Sequence, residues 1–165
     1  MNKSAKRLSI LSMSLALALI LSFVESQIPP LSAVPGIKLG LANIVAVVLL
    51  YSLTAYEAAA VSLVRVFLSV MLFGTAVGLI YSLFGAVLSL AVMILAKRFL
   101  PFGTVGVSVL GAVMHNAGQI IAACIIMENA AISVYFVPLI ISGTIAGVAV
   151  GVASGILIGR IKRIL

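Results

Sequence analysis

The chain alternates between long apolar stretches and short polar breaks, and we distinguish six apolar stretches. They cover approximately residues 8–24, 39–53, 58–73, 76–96, 104–127 and 131–158. A helix that crosses the hydrocarbon core of a bilayer needs about 20 residues, with a range of about 17–25. The pattern therefore predicts an all-α membrane protein with six transmembrane helices in one integral membrane domain, residues 1–165. The second and third helices are expected to be short.

The composition excludes a soluble globular protein. Hydrophobic residues make up 64% of the chain, charged residues make up 8%, and the mean hydropathy is +1.41. Ordinary globular proteins are about 45–50% apolar and about 25% charged. A chain this apolar cannot cover itself with polar surface, so we expect a multi-pass protein of the cell membrane, in contact with lipid.

The net charge of +7 is placed in a way that indicates orientation rather than nucleic-acid binding. Basic residues precede the first stretch and follow the fourth and the sixth: Lys3, Lys6, Arg7, Lys97, Arg98, Arg160, Lys162 and Arg163. With six crossings they share one side of the membrane, and short loops rich in Lys and Arg lie in the cytoplasm. We therefore predict that both termini are cytoplasmic and that nucleic acid is not a partner.

Two local patterns indicate a helix start and a helix contact. Thr54 and Glu57 have capping-box spacing, which gives Glu57 a structural role. In the last stretch a glycine recurs every fourth residue from Gly143 to Gly159. Because glycine has no side chain, this spacing lets another helix approach closely in lipid. Packing inside the protein is the favoured interpretation of this glycine stripe, and docking of a partner helix is the alternative.

His115, Asn116 and Gln119 are polar residues near the centre of the fifth stretch. Polar side chains are costly at that depth and usually face a cavity or another helix. Helical spacing places His115 and Gln119 on the same small, polar face as Ser108. Hydrogen bonding between helices would explain one such residue, but three so close together make a ligand or ion site an equal alternative.

Arg65 falls in the middle of the third stretch. A charged side chain at the bilayer centre costs ~2.5–3.5 kcal/mol on insertion scales. Nothing in its own helix can neutralise it, because Glu57 is two turns away and better placed as a cap. Its partner must be backbone carbonyls of another helix, Glu25, or an anionic ligand for which Arg65 is the anchor.

The connection between the first and second stretches, residues 25–38, is the longest predicted loop and contains three prolines, which stiffen it. Lys38 and Asn43 lie at the outer end of the second stretch. Together with Glu25 at the start of the loop, this pattern indicates a rigid outer lid over a polar interior, as a solute-binding membrane protein would have.

Several kinds of catalytic site are missing from the sequence. The chain has no aspartate and no P-loop motif, and it has only three glutamates, one histidine and one cysteine. It therefore lacks the residues that usually hold nucleotide phosphates, magnesium or transition metals. We expect no cofactor and no catalytic activity in this chain, and any use of ATP must come from another polypeptide.

Three blocks of the sequence resemble the Gx transporter family, whose members are often named heptaprenyl diphosphate synthase component I. The blocks are VPGIKLGLANI at residues 34–44, LVRVF at 63–67 and GVSVLGAVMHNAGQ at 106–119. The family looks like the substrate-binding S components of energy-coupling factor transporters. Those are six-helix membrane proteins with both termini in the cytoplasm, so the resemblance implies the topology that the basic residues predict.

The resemblance implies that the chain binds a small vitamin-like or precursor solute from outside, beneath the loop that joins the first two helices. An S component then topples within a complex that contains a coupling transmembrane subunit and two ATPases. Its first helix docks on the coupling subunit through an Ala-x-x-x-Ala motif, and the nearest spacing here is Ser14-x-x-x-Ala18. The expected solute-binding residues are Lys38, Asn43, Arg65, His115, Asn116 and Gln119.

An accessory role in heptaprenyl or polyprenyl diphosphate synthesis is the alternative function. The family name supports this role, and Lys38, Arg65 and His115 could meet a diphosphate. Prenyl-chain elongation itself needs magnesium held by aspartates, which this chain lacks. A third interpretation is a structural bundle whose polar residues only hold helices together.

Overall fold

The computed structural model describes residues 3–27 and 40–164, and the regular elements in these ranges are all helical. The helices are α1 (Lys3–Gln27), α2 (Asn43–Ser52), α3 (Ala55–Phe73), α4 (Ala76–Phe99), α5 (Thr104–Ile126) and α6 (Phe136–Ile164), with a 3₁₀ helix (Ala130–Tyr135) leading directly into α6. Each of the six predicted stretches therefore contains a helix, which confirms the all-α prediction for the described part of the chain.

All of these α-helices except α2 are long and apolar enough to cross a membrane, as expected of a multi-pass membrane protein. α2 has 10 residues, which gives a length of about 15 Å against a hydrocarbon core of about 30 Å. It begins at Asn43 rather than at residue 39, because Gly40 has a φ of 72°. Glycine adopts this left-handed conformation at little cost, but it does not fit a regular helix. The predicted second span is thus corrected to a helix over its later part.

Two side-chain contacts join the ends of several helices on one side of the bundle. Lys97 donates a hydrogen bond to the carbonyl oxygen of Leu50, and Arg7 donates two to the carboxylate of Glu57. The start of α1, the α2–α3 turn and the end of α4 therefore lie together. We call this side of the bundle the basic end, and the opposite side, where α1 and α3 finish, the far end.

The turn between α2 and α3 has the capping box that the sequence predicts. Thr54 Oγ1 accepts a hydrogen bond from the backbone N–H of Glu57 at 3.3 Å. Glu57 Oε2 accepts one from the backbone N–H of Thr54 at 3.1 Å. The structural role predicted for Glu57 is confirmed, because the free amides at the start of α3 are satisfied reciprocally.

The glycine stripe of α6 packs against α5 inside the protein. A Cβ atom placed on Gly147 would lie 2.7 Å from the Cα of Val109, and one placed on Gly151 would lie 2.6 Å from the Cα of Val105. Only glycine permits such a close backbone approach. A Cβ on Gly159 would meet nothing within 4 Å, so the packing interpretation is confirmed for the middle of the stripe and not for its end.

α1 lies at the edge of the bundle, where it packs mainly on α3. Ala18 is only 2% exposed and belongs to the core, and Ser14 is half-buried. The outward face of α1 instead carries large apolar side chains such as Met13 and Leu17. Ala18 therefore contributes to the contact of α1 with this bundle, and docking on a partner through Ser14-x-x-x-Ala18 stays a prediction.

α2 runs through the centre of the bundle. Val47 and Leu50 are fully buried at 0% exposure, and α2 packs on both α3 and α6. Because α2 covers only half the depth of the bundle and finishes at the basic end, its first residue, Asn43, lies near mid-depth. The start of α2 thus meets the central residues of α3 and α5, where the sequence places Arg65 and Asn116.

Candidate functional site

A cavity of about 150 Å³ lies inside the bundle near this point, and all six α-helices contribute to its wall. Val47, Met93 and Val150 form apolar wall on the side of the basic end. The polar residues that line the cavity are Ser22, Glu25, Ser26, Asn43, Arg65, Ser69, Ser82, Ser89, Ser108, His115 and Asn116. A polar cavity among apolar helices is a place where a polar solute could be held away from lipid.

Arg65 is the cationic group of the described cavity wall. Its Nη1 donates a hydrogen bond to Ser22 Oγ at 3.1 Å. Glu25 is near enough to attract it electrostatically, but these two side chains do not form an ion pair in the structure. A guanidinium has five N–H donors, so most of the donors of Arg65 have no partner among the described residues.

Glu25 lies one turn beyond Ser22 on α1, toward the far end. Its Oε1 accepts a hydrogen bond from the backbone N–H of Gly40, which ties the end of α1 to the turn that precedes α2. Asn43 lies against the same turn, because a Cβ on Gly40 would come 3.2 Å from Asn43 Nδ2. The far-end side of the cavity wall is therefore built from the two ends of the connection between α1 and α2.

Asn116 both lines the cavity and braces α6. It is 8% exposed, and its Nδ2 donates a hydrogen bond to the carbonyl oxygen of Leu139 at 2.8 Å. Gly143 makes room for this contact, because a Cβ there would lie 2.7 Å from Asn116 Nδ2. The bond between helices that the sequence left open as an alternative is therefore present, and the side chain still borders the cavity.

His115 borders the cavity from the side of α4. A Cβ on Gly85 would lie 2.9 Å from two atoms of the imidazole ring, so this glycine gives the ring its space. The structure thus brings Asn43, Arg65, His115 and Asn116 together around one cavity, and their contact with a solute stays a prediction.

Gln119 is a predicted site residue that does not line the cavity. Its Oε1 is buried without a hydrogen-bond partner in the described ranges, as is the hydroxyl of Tyr81 on α4. Lys38 lies outside the described residues. The solute contacts expected of Gln119 and Lys38 stay predictions.

Ser22, Ser82 and Ser89 line the cavity, although the sequence analysis did not assign them to a site. A signal was present, because residues seven positions apart return to nearly the same face of a helix, as Ser82 and Ser89 do on α4. Their hydroxyls donate and accept hydrogen bonds, so they can adapt to a polar solute.

The cavity wall offers one cationic group and several neutral hydrogen-bonding groups to a bound molecule. The donors of Arg65 that have no partner among the described residues can meet an oxyanion, and the serine hydroxyls and the Asn43 amide can bond other polar groups. Among the described residues, no group of three His, Cys, Asp or Glu side chains could hold a metal ion. The cavity can therefore recognise a small polar molecule through one cationic anchor and several neutral hydrogen-bonding groups.

Comparison with known proteins agrees with the resemblance seen in the sequence. Residues 9–157 match the family described as heptaprenyl diphosphate synthase component I, and this range includes every residue of the cavity wall. No curated protein matches the chain, and no solved structure does. The chain therefore belongs to the heptaprenyl diphosphate synthase component I family, also called the Gx transporter family.

Proposed function

We propose that this protein is the solute-binding subunit of a membrane importer, similar in role to the S components of energy-coupling factor transporters. The observation that supports the proposal best is the state of Arg65. This charged side chain in the middle of an apolar helix borders a polar cavity, and among the described residues only Ser22 accepts a hydrogen bond from it.

An arginine with unused donors in such a place favours a binding role over a purely structural one. A buried polar group is costly unless it is hydrogen-bonded, and an arginine that only held helices together would use its donors on carbonyls or carboxylates. A solute with an oxyanion would supply the missing acceptors, since guanidinium and carboxylate groups form paired, charge-assisted hydrogen bonds.

The direction of transport in this proposal follows from the position of the cavity. With the basic end in the cytoplasm, as the basic residues predict, the cavity lies in the outer half of the membrane. Glu25 and Gly40, at the two ends of the α1–α2 connection, are in its wall. A small vitamin-like or precursor solute would then enter from outside, past Glu25 and Gly40.

The energy for import would come from other chains. Because the sequence has no nucleotide-binding motif, we propose a coupling transmembrane subunit and two ATPases as partners. In this proposal the chain itself is not an enzyme and carries no cofactor.

Mass spectrometry of small molecules that co-purify with the protein in detergent tests the proposal. We expect the wild type to carry a small polar solute, and Arg65→Met to carry at least about 30-fold less, because removing one partner of a buried charged contact typically costs about 2 kcal/mol or more. Arg98→Met is the matched control, since Arg98 is exposed at the basic end.

Equal solute in Arg65→Met and in the wild type, with both proteins eluting as folded species, would contradict the proposal. So would a wild-type protein that carries no small molecule and binds none from a cell extract. Retention of the solute by Arg98→Met is required, because its loss would show that any change of charge disrupts the protein.

An accessory role in polyprenyl diphosphate synthesis is the second candidate, and the description of the family favours it. A cavity of about 150 Å³ could receive a diphosphate head group on Arg65, while the prenyl chain would have to lie in lipid between helices. Recovery of a prenyl diphosphate, rather than a water-soluble molecule, in the same mass spectrometry experiment would favour this function.

A further inference from the structure

Two side chains of opposite charge line the cavity without contacting each other. Arg65 is held by Ser22 at 3.1 Å, and Glu25 is held by the backbone N–H of Gly40. They attract each other electrostatically but form no ion pair in the described structure. Each charge is therefore anchored separately, on its own part of the cavity wall.

This separation leaves both charges with unused bonding capacity. The second carboxylate oxygen of Glu25, and the Nε and Nη2 groups of Arg65, have no hydrogen-bond partner among the described residues. Opposite charges attract strongly in surroundings of low dielectric constant, and desolvating them is costly unless their remaining donors and acceptors are satisfied. A gap between two such groups is thus a place for a molecule that satisfies both.

The two charged groups also lie at different depths along the axis of the bundle. Ser22, which bonds Arg65, and Glu25 are three residues apart on α1, so their backbone positions differ by about 4.5 Å along the helix axis. The positive group lies toward mid-depth, and the negative group lies toward the far end. The cavity is therefore polarised along the axis of the bundle.

We propose that the cavity binds a small zwitterion, with its carboxylate on Arg65 and its ammonium group on Glu25. This inference rests on the proposed binding function and specifies the chemical class of the solute. A simple anion would satisfy Arg65 but would lie beside the negative charge of Glu25. A simple cation would satisfy Glu25 but would lie beside the positive charge of Arg65. A zwitterion satisfies both groups and brings no net charge into the bundle.

The size of the cavity favours a zwitterion of a few carbon atoms. A cavity of about 150 Å³ has room for a molecule the size of benzene, which is comparable to a small amino acid. Ser69, Ser89 and Asn43 border the same space and can bond further polar atoms of the solute.

Three probes of matched size and shape test the charge requirement. They are γ-aminobutyrate, which carries both charges, butyrate, which carries only the carboxylate, and butylamine, which carries only the ammonium group. Binding to the full-length protein in detergent is measured by calorimetry. We expect γ-aminobutyrate to bind at least tenfold more tightly than butyrate or butylamine. Glycine and β-alanine, whose charges are closer together, then show which separation fits best.

Glu25→Gln is the decisive variant, because it keeps the shape of the side chain and one acceptor oxygen for the N–H of Gly40 and removes the charge. We expect it to weaken γ-aminobutyrate binding at least tenfold and to leave butyrate binding unchanged or stronger. Glu128→Gln is the matched control, since Glu128 is exposed and does not line the cavity. Arg65→Lys, which keeps the charge, accompanies Arg65→Met in case the latter does not fold.

The results distinguish the inference from the function on which it rests. Butyrate that binds as tightly as γ-aminobutyrate, with no effect of Glu25→Gln, would overturn the zwitterion and leave a binding protein for anions. Failure of all probes would also overturn it, and the proposed function would still stand if the wild type co-purifies with another solute. Absence of both probe binding and a co-purified solute would overturn the two together.

Discussion

Two Arg–Glu pairs among the described residues differ in whether their charged groups contact each other. At the basic end, Arg7 donates to both oxygens of Glu57, whereas in the cavity Arg65 and Glu25 remain apart. In both pairs the glutamate accepts a backbone N–H, from Thr54 and from Gly40 respectively. The difference therefore lies in the arginines. Arg7 contacts its glutamate, which we call a closed pair, and Arg65 does not, which we call an open pair.

The surroundings of the two pairs explain what this difference means. The Arg7 side chain is 54% exposed, so water can satisfy its remaining donors. Exposed ion pairs of this kind contribute little to stability, and this one fastens α1 to the start of α3. Arg65 instead borders the cavity within the bundle, where a donor without a partner is costly. An open pair in that place fits the proposed binding of a solute, which would supply the missing partner.

The largest expected effect is a difference in maleimide labelling between the two ends of the bundle, because we expect them to lie on opposite sides of the membrane. In a Cys124→Ser background, Tyr56→Cys marks the basic end and Glu128→Cys marks the far end, since both residues are exposed. We expect a membrane-impermeant maleimide to label position 128 on intact cells and position 56 only after permeabilisation. Labelling of position 56 on intact cells would contradict the orientation, and the cysteine-free chain is the control.

Removal of one hydroxyl beside each pair should separate binding from stability. Ser22→Ala removes the hydroxyl that accepts a hydrogen bond from Arg65. A hydrogen bond to a charged group is worth about 1.5–3 kcal/mol. We therefore expect the amount of co-purified solute to fall at least about tenfold. Thr54→Ala should leave the solute unchanged and reduce stability by about 1 kcal/mol, because it removes a helix cap. The midpoint of thermal unfolding and mass spectrometry measure the two effects. The reverse pattern would contradict the assignment of the pairs.

The smallest effect is expected from breaking the closed pair itself. Arg7→Met should lower the midpoint of thermal unfolding slightly at low salt and leave solute binding unchanged. The difference from wild type should vanish near 1 M salt, where the Debye length is about 3 Å. A large loss of bound solute in Arg7→Met would show that the basic end and the cavity are coupled.

The sequence alone predicted much of the site. Asn43, Arg65, His115 and Asn116 were expected from their polarity within apolar stretches, and the structure brings all four to one cavity. Such predictions succeed because a polar side chain in a membrane helix has few places to point other than inward. The capping role of Glu57 was predictable for a different reason, since it depends on residues only three positions apart.

Other parts of the site could not be read from the chain. Glu25 was weighed as a partner of Arg65, but its bond to Gly40 depends on how the end of α1 meets the turn before α2. The sequence could not place Ala18 and Gln119, because a small residue or an amide fits an outward surface, a helix contact or a cavity equally well. Only the rotation of each helix about its axis distinguishes these environments.

The sequence by itself determined that this is a membrane protein of apolar helices, with most of its basic residues predicted on one side and a few polar ones turned inward. These properties depend on hydrophobicity along the chain, which each segment carries locally. The tertiary structure decided which charges touch and which stay apart, because helix rotation and depth set the distance between side chains far apart in sequence. That is why Arg7 meets Glu57, fifty residues away, while Arg65 and Glu25 face a shared cavity.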